Sequence, residues 1–215
     1  AGVFCDMAAT RIGRMACGVE AAADIRLSYR WSLSFAASAG RYKFIRNPRI
    51  TVISDVDNSV VDARAVSHLR GCTPGGAPQL TACAELGYFG PKGWGFKTSA
   101  GYAGARYVEP SLLRRTERIA RQGGTTREMF DAFTRQQRLG DAFTLDAALF
   151  KTFWFDRLRL TASLILRNLL GDGDIVYSAY ESQRVRRIRS GDTLCYAPHA
   201  ARLTYAYPRS FYLTV

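Results

Sequence analysis

The stretch Leu80-Thr-Ala-Cys-Ala-Glu-Leu-Gly-Tyr88 alternates apolar residues with small or polar ones, and Trp94-Gly-Phe-Lys-Thr-Ser-Ala-Gly-Tyr102 resumes the alternation. Successive side chains of a β-strand point to opposite sides of a sheet, so a period of two predicts a strand with one apolar face. Only a few residues, with Pro91-Lys-Gly93 at their centre, separate the two stretches. A short turn between two such strands predicts an antiparallel hairpin.

The same alternation recurs along the rest of the chain. It runs over residues 17–29, 31–40, 143–155, 160–167 and 210–215. The pattern predicts about seven to eight strands, most of them longer than the ~5–6 residues usual in soluble sheets. Several reach the ~9–11 residues that a tilted strand needs to cross a bilayer. The predicted fold is therefore all-β and antiparallel, with an up-and-down strand order.

Composition and motifs exclude several classes of protein. The chain has 215 residues, 47% of them hydrophobic, so it is not disordered. No apolar run approaches the ~18 residues of a spanning helix. Only His68 and His199 are available to a catalytic site, the five cysteines form no C-x-x-C pair, and Asp172-Gly-Asp174 is too short for a calcium loop. We expect no enzyme, metal site or cofactor.

The connections between the predicted strands alternate in length. Tight turns lie near Arg30, Lys92 and Asp156, and long loops cover 45–79, 108–141 and 169–203. Short turns on one rim and long loops on the other are typical of a transmembrane β-barrel, and aromatic residues at the strand ends fit its interfacial girdles. The alternative is a soluble β-sandwich or lipocalin-type barrel, whose strands also alternate.

The less apolar face of the predicted strands carries charge, as the wall of a water-filled lumen would. Lys151 departs from the pattern because it falls on the apolar face, where it could snorkel or lie at a bulge. The residues predicted to face the lumen are Glu20, Asp24, Arg26, Glu85, Asp146, Thr161, Ser163 and Arg167.

The long loops hold most of the special chemistry. The chain is basic, with a formal net charge of +12, and four arginines fall within residues 184–189. Loop arginines fit solvated surface charge, contact with an anionic lipid or ligand, or a nucleic-acid-binding module. Residues 126–133 predict a short capped helix. The candidate loop contacts to a ligand are Arg114, Arg115, Tyr177, Tyr180, Arg184, Arg186 and Arg187.

Two segments in the last part of the sequence carry patterns specific enough to indicate a protein family. Residues 160–184 place Asn168-Leu-Leu170 at the end of a predicted strand and continue into a tyrosine-containing loop. Residues 205–215 form a strand entered through Pro208-Arg-Ser-Phe211. These segments resemble the last two strands of TonB-dependent outer-membrane receptors of the Bacteroidetes type. The likeness also includes residues 107–116 and 133–146, and it covers about residues 80–215.

The resemblance implies that the intact protein binds a scarce nutrient, of the iron-chelate, cobalamin or glycan class, and imports it with TonB-supplied energy. It also implies a location in the outer membrane of a Gram-negative cell, with contacts to membrane lipid, lipopolysaccharide and a small nutrient ligand, and none to nucleic acid. The runner-up functions are a small ligand-binding β-barrel without transport and an Arg-rich nucleic-acid-binding module.

The resemblance further predicts what part of a receptor the chain is. Plugged receptor barrels have ~22 strands. We therefore expect residues 1–215 to be the C-terminal portion of such a barrel, without the plug domain. The plug and the segment that engages the TonB complex would belong to an N-terminal part. That Ala1 stands in place of Met agrees with a mature form or a fragment.

Overall fold

The computed structural model describes residues 4–120, 125–191 and 193–215, and its sheets are all antiparallel. The strands of the first half are β1 (Cys5–Thr10), β2 (Arg14–Arg26), β3 (Trp31–Phe44), β4 (Arg49–Ser54), β5 (Val60–Val66), β6 (Leu80–Phe89) and β7 (Trp94–Gly104). Those of the second half are β8 (Ala142–Phe155), β9 (Leu158–Arg167), β10 (Val176–Tyr180), β11 (Val185–Ser190), β12 (Thr193–Pro198), β13 (Arg202–Tyr205) and β14 (Ser210–Thr214). The helices are α1 (Glu117–Ala120) and α2 (Arg127–Thr134). The predicted all-β, antiparallel class is confirmed.

Seven strands form the main sheet, in the order β14-β9-β8-β7-β6-β3-β2. Strands that are consecutive in this set along the chain are neighbours in space, so the main sheet is an up-and-down meander, as predicted. Its strands are long, with 13 residues in β2 and 14 in both β3 and β8. Strands β14 and β2 are its edges, so the described strands form an open sheet.

Tight turns and long connections alternate along the main sheet, as the sequence predicted. Short turns join β2 to β3, β6 to β7 and β8 to β9, all at the end that we name the turn rim. The connections between β3 and β6, β7 and β8, and β9 and β14 lie at the opposite end, the loop end. Among the described residues, no helix has the length and apolar character needed to span a membrane.

The long connections contain ordered structure that the sequence pattern did not reveal. Together with β1, which precedes β2, their strands form three small sheets, β1-β4-β5, β10-β13 and β11-β12. These strands have four to seven residues, too few for a clear alternation. The predicted helix is confirmed as α2, where the Thr126 hydroxyl accepts a hydrogen bond from Met129 N at 3.2 Å and Phe130 and Phe133 are buried.

The buried apolar residues lie at the loop end, and the two that belong to main-sheet strands, Phe44 and Ala142, are the loop-end residues of β3 and β8. Val108, Leu139 and Ala179 form one buried cluster, and Phe130 and Phe133 form a second. By contrast, every residue of β2 is exposed. Apart from the short 3-10 helix at Pro91–Gly93, no other described helix or strand makes an extensive contact with the main sheet. The main sheet is therefore a single layer over most of its area.

Candidate functional site

The strand register shows which side chains share a face of the main sheet, because directly opposed residues on neighbouring strands point to the same side. One row that crosses five strands is entirely polar. It consists of Asp24, Ser34, Glu85, Ser99 and Asp146. We name the side that carries this row the polar face.

The eight residues predicted to face a lumen all lie on the polar face. Two of them have close partners within the sheet: Glu85 Oε1 lies 2.7 Å from Lys97 Nζ, and the Thr161 hydroxyl lies 3.0 Å from that of Thr152. Asp146 Oδ1 accepts a hydrogen bond from Asn168 N at 2.8 Å, so this carboxylate also fixes the start of the last long connection.

The opposite side, which we name the apolar face, is hydrophobic over its whole width. One row reads Trp31, Tyr88, Phe96, Leu149, Leu164 and Leu213, and the next reads Ile25, Leu33, Leu86, Thr98, Ala147, Leu166 and Phe211. In these two rows the exposed fraction runs from 39% at Trp31 to 73% at Phe211 for the exposed residues, which also include Ile25, Leu149 and Leu213, and the other residues are half-buried. The hydroxyl of Thr98 donates to the carbonyl of Asp146 at 3.0 Å, so its polarity is satisfied within the sheet. An exposed apolar surface of this extent marks an interaction site.

Aromatic rings gather where the apolar face approaches the turn rim. The rings of Trp31 and Tyr88 lie 4.7 Å apart. Lys151, the residue that broke the sequence pattern, places its ammonium 5.1 Å from the Trp94 ring and donates to the carbonyl of Lys92. The lysine stem thus lies on the apolar face while its charge reaches the turn, which is how a lysine snorkels.

A buried ion pair joins the long connections at the loop end. Arg115 is 1% exposed and Glu181 4% exposed, and the guanidinium binds the carboxylate through both Nε, at 3.1 Å, and Nη2. Arg115 Nη1 also donates to Cys72 Sγ at 3.2 Å, and burial raises the pKa of this thiol. One residue from each of the three long connections therefore meets in this cluster. Glu181 lies 66 positions from Arg115, and no sequence pattern pointed to it.

Two of the predicted ligand contacts are therefore corrected. The Arg114 guanidinium donates to the carbonyl of Phe133 and lies 4.7 Å from the ring of that residue. Burial lowers the pKa of the Arg114 guanidinium. Because Arg114 and Arg115 are both buried with partners inside the protein, neither is placed where a ligand could reach it.

The other candidate contacts lie on β10 and beside or within β11. Tyr177 is 75% exposed, Tyr180 is 47% exposed, and Arg184 and Arg186 are exposed. Arg187 pairs with Tyr196 in the β11–β12 hairpin, and its side chain lies outside the described residues. These residues stay candidates for a ligand contact at the loop end.

The two sequence elements that carried the family resemblance meet in space. Arg209 Nε donates to the carbonyl of Leu169 at 2.9 Å and Nη2 to that of Leu170 at 3.3 Å. The Asn168 side chain donates to the carbonyl of Tyr207 at 3.3 Å. Gly171 has φ +71°, and a Cβ there would lie 2.5 Å from Arg209 Nε, so glycine suits this position. We name this contact the loop clasp, since it joins the two ends of the last long connection.

The chain matches no protein-family model, no curated protein and no solved structure. Among the described residues, no three histidine, cysteine, aspartate or glutamate side chains are grouped so that they could hold a metal ion. The two faces of the main sheet, its two ends and the loop clasp are therefore the features of the molecule that bear on its function.

Proposed function

We propose that this chain is the C-terminal portion of the β-barrel of a TonB-dependent outer-membrane receptor, which binds a scarce nutrient and imports it. In this proposal the apolar face contacts lipid and the polar face lines the lumen that the plug domain fills. The long connections face outward and contact the nutrient. The chain itself performs no catalysis.

The observation that carries the proposal is the exposed apolar face of a single-layer sheet. Leu149, Leu164 and Leu213 lie side by side on it, and no second layer of described helices or strands packs extensively against the main sheet. Exposed hydrophobic surface is costly in water, at about 25 cal/mol per Å², and it is the expected state in a lipid bilayer. The polar row on the other side gives the alternation that a transmembrane barrel strand requires.

The connections also support a barrel. Tight turns at one end and long, structured connections at the other are the arrangement of outer-membrane barrels. The edges of the main sheet, β2 and β14, present unpaired backbone groups that have no place in a bilayer. We propose that other strands of the receptor pair with these edges and close the barrel. In vesicles that hold this chain alone, the edges of separate copies would pair with one another.

The loop clasp adds support for this family in particular. The two segments that resemble this family most specifically lie around Asn168 and around Arg209. Their direct hydrogen bonds give both segments a shared physical role, which is to fix the entry and exit of the last long connection. A connection held at its base can present Tyr177 and Tyr180 on a rigid scaffold, where binding residues usually lie.

Lipopolysaccharide is a proposed partner at the loop end of the apolar face. An open recess of about 710 Å³ is lined there by the apolar residues Val19 and Leu80 and by the cations Arg41 and Lys43. Lys43 Nζ donates to the carbonyl of Gly71 at 2.9 Å, which holds one charge at this level. An apolar floor beside two cations suits an amphiphile with acyl chains and phosphate groups.

The face assignment is tested by placing a cation on each side of one strand. Leu164 and Ser163 are neighbours near the middle of β9 and point to opposite faces. Leu164→Arg should block insertion into phosphatidylcholine vesicles, because a cation on the lipid face near the bilayer centre costs about 2–4 kcal/mol. Ser163→Arg is the matched control and should insert nearly as well as the unchanged chain. Insertion is measured as protection from an added protease.

Two results would contradict the proposal. Equal loss of protection in Leu164→Arg and Ser163→Arg would mean that the two faces do not differ in their contact with lipid. Failure of the unchanged chain to associate with vesicles of any composition would contradict the proposed location in a membrane.

A further inference from the structure

The turn rim is strongly basic. Across the three tight turns and the strand ends beside them, residues 26–31, 91–94 and 151–159 contain six cations and one carboxylate, Asp156. The cations are Arg26, Arg30, Lys92, Lys151, Arg157 and Arg159. Arg26 and Arg159 lie on the polar face and Lys151 lies on the apolar face. Arg30, Lys92 and Arg157 lie in the turns, outside the strands, and belong to neither face.

The three turns lie next to one another because the hairpins are neighbours in the main sheet. β3 pairs with β6, and β7 pairs with β8. Neighbouring strands lie about 4.8 Å apart, so the six strands of the three hairpins carry the cations across roughly 24 Å of rim. The cations that can reach the surrounding lipid thus form a band of Arg30, Lys92, Lys151 and Arg157, whereas Arg26 and Arg159 face the polar side.

Aromatic rings hold some of the cations of this band. The Arg30 guanidinium lies 4.8 Å from the centre of the Tyr29 ring. The Lys151 ammonium lies between Trp94 and Phe153, 5.1 and 5.4 Å from their ring centres. In membrane proteins Trp and Tyr lie at the level of the lipid headgroups. Cations attached to such rings are therefore at the depth of lipid phosphates.

We propose that the turn rim binds the phosphate groups of anionic phospholipids in the leaflet that surrounds it. This inference rests on the proposed function, since it requires the apolar face to be in a bilayer. Guanidinium and ammonium groups donate charge-assisted hydrogen bonds to phosphate oxygens, and the band presents several of them side by side. The turn rim would then fix the orientation of the protein in the bilayer. It would lie among the phospholipid headgroups of one leaflet, and the long connections would lie at the surface of the other leaflet.

The test compares binding of the full chain to two kinds of vesicle at low salt, phosphatidylcholine alone and phosphatidylcholine with phosphatidylglycerol. The variant carries Arg30→Gln, Lys92→Gln and Arg157→Gln, which leave the apolar face unchanged. The matched control carries Arg46→Gln, Arg49→Gln and Arg70→Gln, three exposed cations at the loop end. Both variants lose the same net charge, so a difference between them reports position.

We expect phosphatidylglycerol to increase the vesicle affinity of the unchanged chain and of the loop-end control. The turn-rim variant should bind vesicles that contain phosphatidylglycerol at least about tenfold more weakly than the unchanged chain. Each basic residue close to an anionic bilayer contributes about 1 kcal/mol, or about fivefold in affinity, and the variant lacks three of them. Added salt should reduce the difference by screening the charges.

The outcomes separate this inference from the proposed function. If the unchanged chain inserts into phosphatidylcholine but phosphatidylglycerol gives no increase, the inference is wrong and the proposed function stands. Equal losses in the two variants would also overturn it, since net charge alone would then explain the binding. If the chain enters neither kind of vesicle, both the proposed function and the inference fail.

Discussion

At the residue scale, the Arg115–Glu181 pair makes the sharpest prediction about stability. Glu181→Gln leaves the buried Arg115 charge without a counter-charge, which costs about 3–5 kcal/mol. The matched control is Arg138→Gln, which removes an ion pair with Asp141 at 3.2 Å that is largely exposed and worth about 0–1 kcal/mol. The midpoint of urea unfolding in detergent measures both. Similar small shifts in the two variants would show that the pair does not stabilise the long connections.

The stability that the Asp141 carboxylate contributes should depend on pH. The hydroxyl of Tyr102 donates to Asp141 Oδ2 at 2.7 Å, and this hydrogen bond, with those from Ala105 N and Arg138, holds the pKa of the carboxyl below its usual 3.8. A lowered pKa in the folded state adds stability above pH 3.8, and this stability is lost as pH falls through the folded value. Asp141→Asn should therefore be less stable than the unchanged protein at neutral pH, with the difference closing below about pH 4. Thermal unfolding across pH measures it, and a constant difference would contradict it.

Arg114 and Arg115 are buried although the sequence pattern predicted exposed ligand contacts, and the reason lies in their partners. Arginine is usually exposed, so a run of arginines in a loop predicts a surface. The partners that bury these two side chains, Phe133 and Glu181, are distant in the chain and follow no periodic spacing. Tertiary pairing of this kind cannot be deduced from one sequence.

At the element scale, the main-sheet strands could be predicted and the smaller strands could not. The alternation between Leu80 and Tyr102 is long and regular, and a tight turn fixes the pairing. In β5 the alternation fails because the pairing with β4 shifts twice and Arg64 has φ 55°, which is typical of a bulge. A strand of seven residues with an irregular register gives no clear period.

The loop clasp should stabilise β14, the edge strand that follows the last long connection. Arg209→Gln removes the hydrogen bonds to the carbonyls of Leu169 and Leu170, a loss of roughly 1 kcal/mol. Among the described strands β14 pairs with β9 alone, so its amides should exchange hydrogen several times faster, while those of β6 and β7 should not change. Arg202→Gln is the matched control, since Arg202 is an exposed arginine of the same connection. Unchanged exchange in β14 after Arg209→Gln would show that the clasp does not hold this edge.

At the scale of the whole molecule, the sheet combines two surfaces that a soluble domain would not leave open together. A soluble single-layer sheet would need a second layer against its apolar face. Here the buried apolar clusters lie at the loop end, and no second layer of described helices or strands packs extensively against the apolar face. The sequence could predict both faces from their period of two, but not that neither face would be covered, since an alternating strand is equally compatible with a sandwich.

The three tryptophans can show which face of the main sheet contacts lipid. Trp31 and Trp94 lie on the apolar face, and Trp154, which pairs with Arg159, lies on the polar face. All three are near the turn rim, so face rather than depth distinguishes them. In single-tryptophan variants made by Trp→Phe, lipids brominated near the headgroup should quench Trp31 and Trp94 strongly and Trp154 weakly, because quenching requires contact with the bromine. Acrylamide in the water phase, as the control, should quench Trp154 most. If lipid quenched all three equally, the apolar face would not be the surface that meets the bilayer.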